Sequence, residues 1–377
     1  MFSNCNKALL LAEVSFFNNS AKAGSGTFFF DFEKELIVFD GNMSFLNNTK
    51  ITVIGGGSWA TALIKILCEQ PNIQIRWWLR NAKDIEHIRK FHHNPSYLSD
   101  VYLSPKKVKV YEKTRDAVKG ADFVILAVPA AFIQESLQDL NESHLKGKRI
   151  VSAIKGMIPE ENILVTDWVS EKYHVPLHDI AVIAGPCHAE EVALEKQSYL
   201  TIASTDAVCA EDFSKLMTCR FVTAHPLADL YGVEYAAVMK NIIALACGIT
   251  HGLGNGDNFQ AVMVSNAMQE IRHFVTALDP RERQLSTSAY LGDLLVTAYS
   301  QFSRNRLFGN MIGRGYSVKA AQLEMKMIAE GYYATKSIYE LNKTLHVDLP
   351  ITTAVYRILY EEESPSVVIE ELKKNLK

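Results

Sequence analysis

The chain has little excess of either charge: its 377 residues carry 39 Lys and Arg against 42 Asp and Glu, a net charge of −3. The two signs are mixed along its length, which argues against the basic footprint that a nucleic-acid partner requires. Cysteine is sparse. The six thiols, at Cys5, Cys68, Cys187, Cys209, Cys219 and Cys247, include no CxxC pair and no Cys/His spacing suited to zinc, so no metal site is expected. They read as free thiols of a reducing compartment, and a cytoplasmic location is expected. No apolar run approaches the roughly 20 residues of a membrane span. The short apolar stretch at residues 8–12 lacks the flanks and cleavage site of a signal peptide. Membrane insertion is therefore not expected. Internal repeats and low-complexity segments are absent as well.

What is present is a soluble-protein composition, 48% hydrophobic and 21% charged, on a chain long enough for two domains. Residues 1–42 carry little pattern and are rich in Asn, Ser and Phe. They read as an N-terminal extension, disordered or upstream of the true start, with Met43 expected to be the biological initiator. From Ile51 to about residue 226, short apolar runs alternate with helical patterns. The runs are 51–54, 73–79, 108–110, 123–128, 150–154, 180–184 and 200–203. Runs that are apolar throughout suit parallel strands covered on both faces. Their alternation with helices predicts βαβ units in a doubly wound sheet. Beyond residue 232 the periodicity is helical, with helices expected over 234–252, 258–278 and 318–339, the last broken at Gly331. The expected architecture is an α/β Rossmann-type dinucleotide-binding domain over 43–232 followed by an all-α domain over 233–377.

The most specific local signal is Gly55-Gly56-Gly57-Ser58-Trp59-Ala60, a G-x-G-x-x-A pattern between an apolar strand and an apolar helix. Gly55 permits the tight turn, Gly57 lets a pyrophosphate approach the backbone, and Ala60 allows close helix–strand packing. The helix N-terminus offers free N–H groups and the positive end of its dipole. The alternative is a tight turn with no ligand. The second strand ends in Arg80-Asn81 rather than in the acid that accepts from the ribose of NAD. Arg80 suits a 2′-phosphate, so NADP(H) is considered beside NAD(H); its alternative is a solvated surface charge. Pro129 closes the strand 123–128, where a nicotinamide ribose would lie or where a turn would simply begin.

Reduction of a carbonyl by hydride needs a proton donor and hydrogen bonds for developing charge. Lys155 follows a strand and precedes Gly156, placing it in the ligand crevice or on a solvated loop. Lys240 and Asn241 interrupt an apolar helix, where an ammonium is expensive to bury unless it snorkels. Desolvation would lower its pKa and make it a proton donor near neutrality. Asp293, with Thr297 one turn later, reads as a functional carboxylate or as an N-cap. The run Ser303-Arg304-Asn305-Arg306 suits a phosphate, or an exposed basic turn. Gly185-Pro186-Cys187-His188 turns into a helix. Cys187 has no evident base, and no nucleophilic role is expected of it. His188 reads as a packed or surface histidine.

Taken in order, these segments resemble the bacterial type of NAD(P)-dependent sn-glycerol-3-phosphate dehydrogenase. The matching stretches are Gly55–Ala62, Ala127–Pro129, Ile154–Gly156, Ala184–Pro186 with Ala189–Val192, Met239–Ile242, Gly248–Asn258, Gly292–Leu294, Ser303–Arg306 and Ala329–Gly331. The resemblance runs from about residue 50 to the C-terminus. It implies a Rossmann-type domain with a helical partner domain, a homodimer, and interconversion of dihydroxyacetone phosphate and sn-glycerol 3-phosphate for glycerophospholipid synthesis. It further implies Lys240 as catalytic acid/base, with Lys155, Asp293 and Asn241 around the substrate. Gly185, Ser303, Arg304 and Asn305 are implied as substrate contacts. Ser58, Trp59, Arg80, Tyr97, Lys155, Ala189, Arg304 and Glu330 are implied as cofactor contacts. Ala60 and Cys187 depart from the family, which commonly has Gly and Ser there. Two other readings stand beside this one. A hydroxyacid dehydrogenase would combine a similar domain pair with a lysine on the first long helix, and a cofactor-sensing protein would bind without turnover.

Overall fold

Among the described residues, ten strands succeed one another. They are β1 (Thr49–Ile54), β2 (Ile73–Trp78), β3 (Val108–Tyr111), β4 (Phe123–Leu126), β5 (Arg149–Ser152), β6 (Met157–Ile158), β7 (Ile163–Leu164), β8 (Ile180–Ala184), β9 (Ser198–Ser204) and β10 (Val222–Leu227). The structure, a computed structural model, describes residues 48–325 and 329–377. The expectations for residues 1–42 and for Met43 lie outside the described residues. Eight strands form one sheet in the order β10-β9-β8-β5-β4-β1-β2-β3. The six strands from β3 to β8 in that order are parallel, with Ile51 of β1 opposite Ile75 of β2 on one side and Phe123 of β4 on the other. The apolar β4, buried at every residue, lies at the centre. Each fully buried Ile, Val or Phe there contributes roughly 1.5–3 kcal/mol. The strand order reverses between β1 and β4, and in open α/β sheets the ligand crevice opens at the carboxyl ends of such strands.

Both faces of the sheet are covered. Leu63, Ile66 and Leu67 of the helix Ser58–Cys68 pack with Phe213 and Leu216 on one face. Val165, Trp168 and Val169 of the helix Val165–Tyr173 pack with Val124 and Leu126 on the other. Two features depart from the expected parallel sheet. β9 runs antiparallel to β8, and β10 is a strand that hydropathy alone did not single out. The reason is local: His225 and Pro226 interrupt the apolar pattern of β10. A proline is tolerated because β10 is the sheet edge. The two-residue strands β6 and β7 pair antiparallel and were likewise not foreseen.

From Leu230 onward the described residues are helical. The helix Leu230–Gly252 is buried at 20 of its 23 residues, and Asp229 caps it by accepting from Gly232 N at 3.2 Å. It is long and apolar enough to cross a bilayer, but its most apolar window is wholly buried within the fold. The helices Asp257–Leu278, Asp293–Tyr299, Arg304–Gly313, Glu330–Leu345 and Pro350–Tyr360 pack around it. The helix expected over 318–339 is two, Val318–Glu324 and Glu330–Leu345. The closest crossing is glycine against backbone. A Cβ on Gly309 would overlap the Leu245 carbonyl oxygen, one on Gly313 that of Ile249, and one on Gly248 that of Arg306. This approach brings the N-terminal end of Arg304–Gly313 beside the polar interruption of the long helix. Gly331 completes the junction, its α-carbon so close that a Cβ would sit 2.5 Å from the Asn241 carbonyl oxygen.

Candidate active site

The turn after β1 is shaped by contacts that leave no alternative to glycine at its first position. Gly55 has φ +136°, and a Cβ there would run into the Ala127 carbonyl at the end of β4. The buried indole of Trp77 on β2 donates to Gly55 O at 2.6 Å. Gly57 starts the helix Ser58–Cys68 with no side-chain cap, and a Cβ there would meet nothing within 4 Å. Open space in front of uncapped helical N–H groups is the cradle a pyrophosphate fits. Trp59 Nε1 is buried with no hydrogen-bond partner, which leaves a donor for a bound group in this region. Arg80, two residues past β2, is exposed, lies 5.6 Å over the Phe132 ring and 3.8 Å from a Glu135 oxygen. Tyr97 is half-buried on a loop that the fully buried Asn94 ties to the glycine turn. Ala189 opens the short helix that follows the Gly185 turn.

Across the crevice, the helical half supplies a carboxylate on a half-buried residue. Glu330, first residue of its helix, accepts from Ala130 N at 3.1 Å, just after β4. Gly156 makes room for it, since a Cβ there would lie 2.6 Å from Glu330 Oε2. Burial pushes the Glu330 carboxyl up to about 7, against the lowering effects of the Ala130 N–H and the Arg304 charge.

The reactive groups meet at the carboxyl ends of β5 and β8. Lys155 follows β5, and its Nζ is 3.1 Å from Asp293 Oδ2. Lys240 Nζ donates to Asp293 Oδ1 at 2.5 Å and to Thr297 Oγ1 at 2.7 Å. Gly185 N, just past β8, donates to Asp293 Oδ2 at 3.1 Å. Asp293 is thus not an N-cap: Gly292 holds that position, and the Asp293 carboxylate faces two ammoniums and a backbone N–H. Thr297, one turn later, donates in turn to Asp293 O at 2.6 Å, so its oxygen is oriented to accept from Lys240. Lys240 does not snorkel to solvent; its side chain is only 7% exposed.

The electrostatics follow from this packing. Burial lowers the Lys240 pKa to about 7, with Lys155 pushing the same way and Asp293 opposing. Burial also acts to raise Asp293, but the two lysines outweigh it and hold the carboxyl below its ordinary value. His188 lies in the same field. Burial, together with the Lys240, Lys155 and Arg304 charges, depresses it to about 4, so the ring is neutral at physiological pH. Its ring centroid is 6.0 Å from that of Phe302. Cys187 is held to about 12, chiefly by burial, so no thiolate is available there.

The remaining sequence candidates divide. Asn241 Nδ2 donates to Lys155 O at 2.7 Å and fixes the loop that carries that lysine. Ser303 caps the helix Arg304–Gly313, accepting from Arg306 N at 3.3 Å. Asn305 Oδ1 accepts from Gly331 N at 2.8 Å, so its carbonyl side is committed to the helix junction. Arg304 is exposed at the first position of its helix, close enough to His188 and Glu330 to act on both. Sequence reasoning did not single out Asn94, the Ala130 N–H or the field on His188. The partners of all three are fixed by tertiary contacts.

Comparison with known proteins shows the family to which the chain belongs. Residues 50–210 match the N-terminal part, and residues 229–370 the C-terminal part, of the NAD-dependent glycerol-3-phosphate dehydrogenase family. The chain is 34% identical over 330 residues to a Shouchella clausii protein named glycerol-3-phosphate dehydrogenase [NAD(P)+], an alignment covering 87% of this chain and 96% of that one. A Bacillus subtilis protein of the same name is 35% identical over 324 residues, covering 86% and 93%. Among solved structures, a glycerol-3-phosphate dehydrogenase from Coxiella burnetii superposes with a TM-score of 0.80 at 28% identity, covering 87% of this chain and 99% of that one. The turn after β1, the strands β2 to β9, and Lys240 and Asp293 of the helical half thus fall within matched segments, and the chain belongs to the NAD-dependent glycerol-3-phosphate dehydrogenase family.

Proposed function

We propose that this chain catalyses the reversible NAD(P)-dependent reduction of dihydroxyacetone phosphate to sn-glycerol 3-phosphate, a supply for glycerophospholipid synthesis. The observation that carries the reading is the buried Lys240 ammonium, with a pKa lowered to about 7, paired to Asp293 at the carboxyl ends of the strands. Bound NADH or NADPH supplies the hydride. The residues fit that group through the turn at Gly55 and Gly57, the helix from Ser58, the donor on Trp59, the Arg80 guanidinium, Tyr97, Ala189 and Glu330. Lys240 gives its proton to the ketone oxygen as charge develops there. Lys155 stabilises that oxygen, and Asp293 holds the two ammoniums together against their repulsion. Thr297 and Asn241 fix the positions of Lys240 and Lys155. Arg304, with Ser303 and Asn305 at a helix N-terminus, receives the phosphate, and the Gly185 turn walls the substrate.

In this reading residues 43–232 bind the dinucleotide and residues 233–377 bind the substrate. The protein works as a cytoplasmic homodimer, and sedimentation equilibrium at about 84 kDa, twice the chain mass of 42.2 kDa, is the expected result. A cofactor sensor needs neither a buried lysine pair nor its shared carboxylate. The deciding assay follows NADH and NADPH oxidation with dihydroxyacetone phosphate beside a panel of keto acids. Turnover with dihydroxyacetone phosphate alone is expected. Preference for a keto acid, or nucleotide binding without turnover, overturns the proposal.

A further inference from the structure

Asn94 has no place in the chemistry above, yet it is fully buried and all of its hydrogen-bonding capacity is used. Its Nδ2 donates to Gly56 O at 3.0 Å and to Thr61 Oγ1 at 2.9 Å. Its Oδ1 accepts from Ser96 N at 3.0 Å and from Tyr97 N at 3.2 Å. The orientation of the amide is dictated by its neighbours. Gly56 O can only accept, and the Thr61 hydroxyl directs its own proton to Gly57 O at 3.1 Å, so both require a donor. The two backbone N–H groups require an acceptor. One primary amide meets all four demands, and a carboxylate or an isosteric leucine meets at most half.

What Asn94 joins is specific. On one side are two successive carbonyl groups of the glycine turn, Gly56 directly and Gly57 through Thr61. On the other is the loop that carries Tyr97. These are the two flanks between which the dinucleotide would run, from pyrophosphate to adenosine. We propose that Asn94 is a positioning residue for cofactor binding: it holds the carbonyls of the turn inward, leaving the turn's N–H groups to face the pyrophosphate, and it sets Tyr97 at a fixed distance from them. The inference rests on the reading of the Gly55–Gly57 turn as the dinucleotide cradle.

The test measures the NADH dissociation constant by fluorescence titration, with kcat and the KM for dihydroxyacetone phosphate, in the full chain. Asn94→Asp places oxygen against oxygen at Gly56. It is expected to weaken NADH binding about tenfold or more while the KM for dihydroxyacetone phosphate stays within about twofold. An unchanged NADH constant, with only melting temperature or active fraction reduced, overturns the proposal, because a merely structural role predicts that result. Should Asn94→Asp fail to fold, Thr61→Val and Thr61→Ser decide. Thr61→Val removes the relay to Gly57 and is expected to weaken NADH binding several-fold, with Thr61→Ser restoring it. Thr61→Val binding NADH as tightly as wild type overturns the proposal. Gly57→Asp separates the two levels of the argument. Undiminished NADH binding in that variant removes the cradle reading itself. Binding lost there but kept in Asn94→Asp and Thr61→Val removes Asn94 alone.

Discussion

Lys240 is an ammonium on a helix buried at 20 of its 23 residues, and its neighbours decide what that burial does. Asp293 pairs with both Lys155 and Lys240 and so offsets the repulsion between them. Asp293→Asn removes that offset. Lys240 then loses the one strong contribution that keeps its pKa up, and the fall in dihydroxyacetone phosphate reduction with rising pH is expected to move at least about one unit lower. Profiles of kcat/KM against pH for the two proteins check this; coincident profiles would separate Asp293 from Lys240 titration. At this scale the sequence was informative where a residue contradicted its surroundings. Lys240 stood out because an ammonium inside Ala236–Ala246 needs a partner. Thr297 was visible through its spacing from Asp293. Asn94 and His188 gave no such signal, since an asparagine before a proline and a histidine after a turn are ordinary until the fold supplies their neighbours.

Between elements, the helix Arg304–Gly313 reaches the long helix only because glycines face backbone on both sides. Gly248 and Gly252 oppose Gly309 and Gly313 with no room for a methyl group. Gly309→Ala therefore has to separate the helices, and a cost of at least about 1–3 kcal/mol is expected from overpacking. Urea denaturation should show it. Because the helix carries Arg304, the KM for dihydroxyacetone phosphate should rise while NADH affinity is retained; unchanged stability would mean the crossing is looser than described. At the end of β2, Arg80→Ala should raise the KM for NADPH more than that for NADH, as a 2′-phosphate contact requires. Equal effects on both would return Arg80 to the surface-charge alternative. Strands of continuous apolar sequence were legible one by one. β10 was not, because an edge strand tolerates Pro226 and needs only one apolar face. The reversal of β9 was also hidden, since hydropathy carries no direction.

The whole molecule is clasped by carboxylates reaching between its parts. Glu234 of the long helix accepts from the N–H and hydroxyl of Thr166, and burial raises it to about 8. Glu270 accepts from Ile351 N and Thr352 N at the start of the helix Pro350–Tyr360, and burial raises it to about 7. Both values lie above the unfolded carboxyl, so the stability they confer is complete below about 4.5 and is lost as pH rises through about 7–8. The decline these two carboxyls cause should run from about pH 4.5 up to about 7–8, and Glu234→Gln should flatten it relative to wild type. Melting temperatures from pH 5 to 9 check it, and parallel curves would contradict it. The same convergence of parts builds the active site, where Lys155 and Gly185 from the sheet meet Lys240 and Asp293 from the helices. The most direct test of that convergence is the pH dependence of dihydroxyacetone phosphate reduction by wild type and Lys240→Ala. Wild-type kcat/KM should fall as pH rises through about 7, the reverse reaction should gain over the same range, and Lys240→Ala should lose about 10²–10⁴-fold in kcat with NADH affinity intact. Near-normal turnover in Lys240→Ala, with the same pH profile, would contradict the assignment of the proton to Lys240.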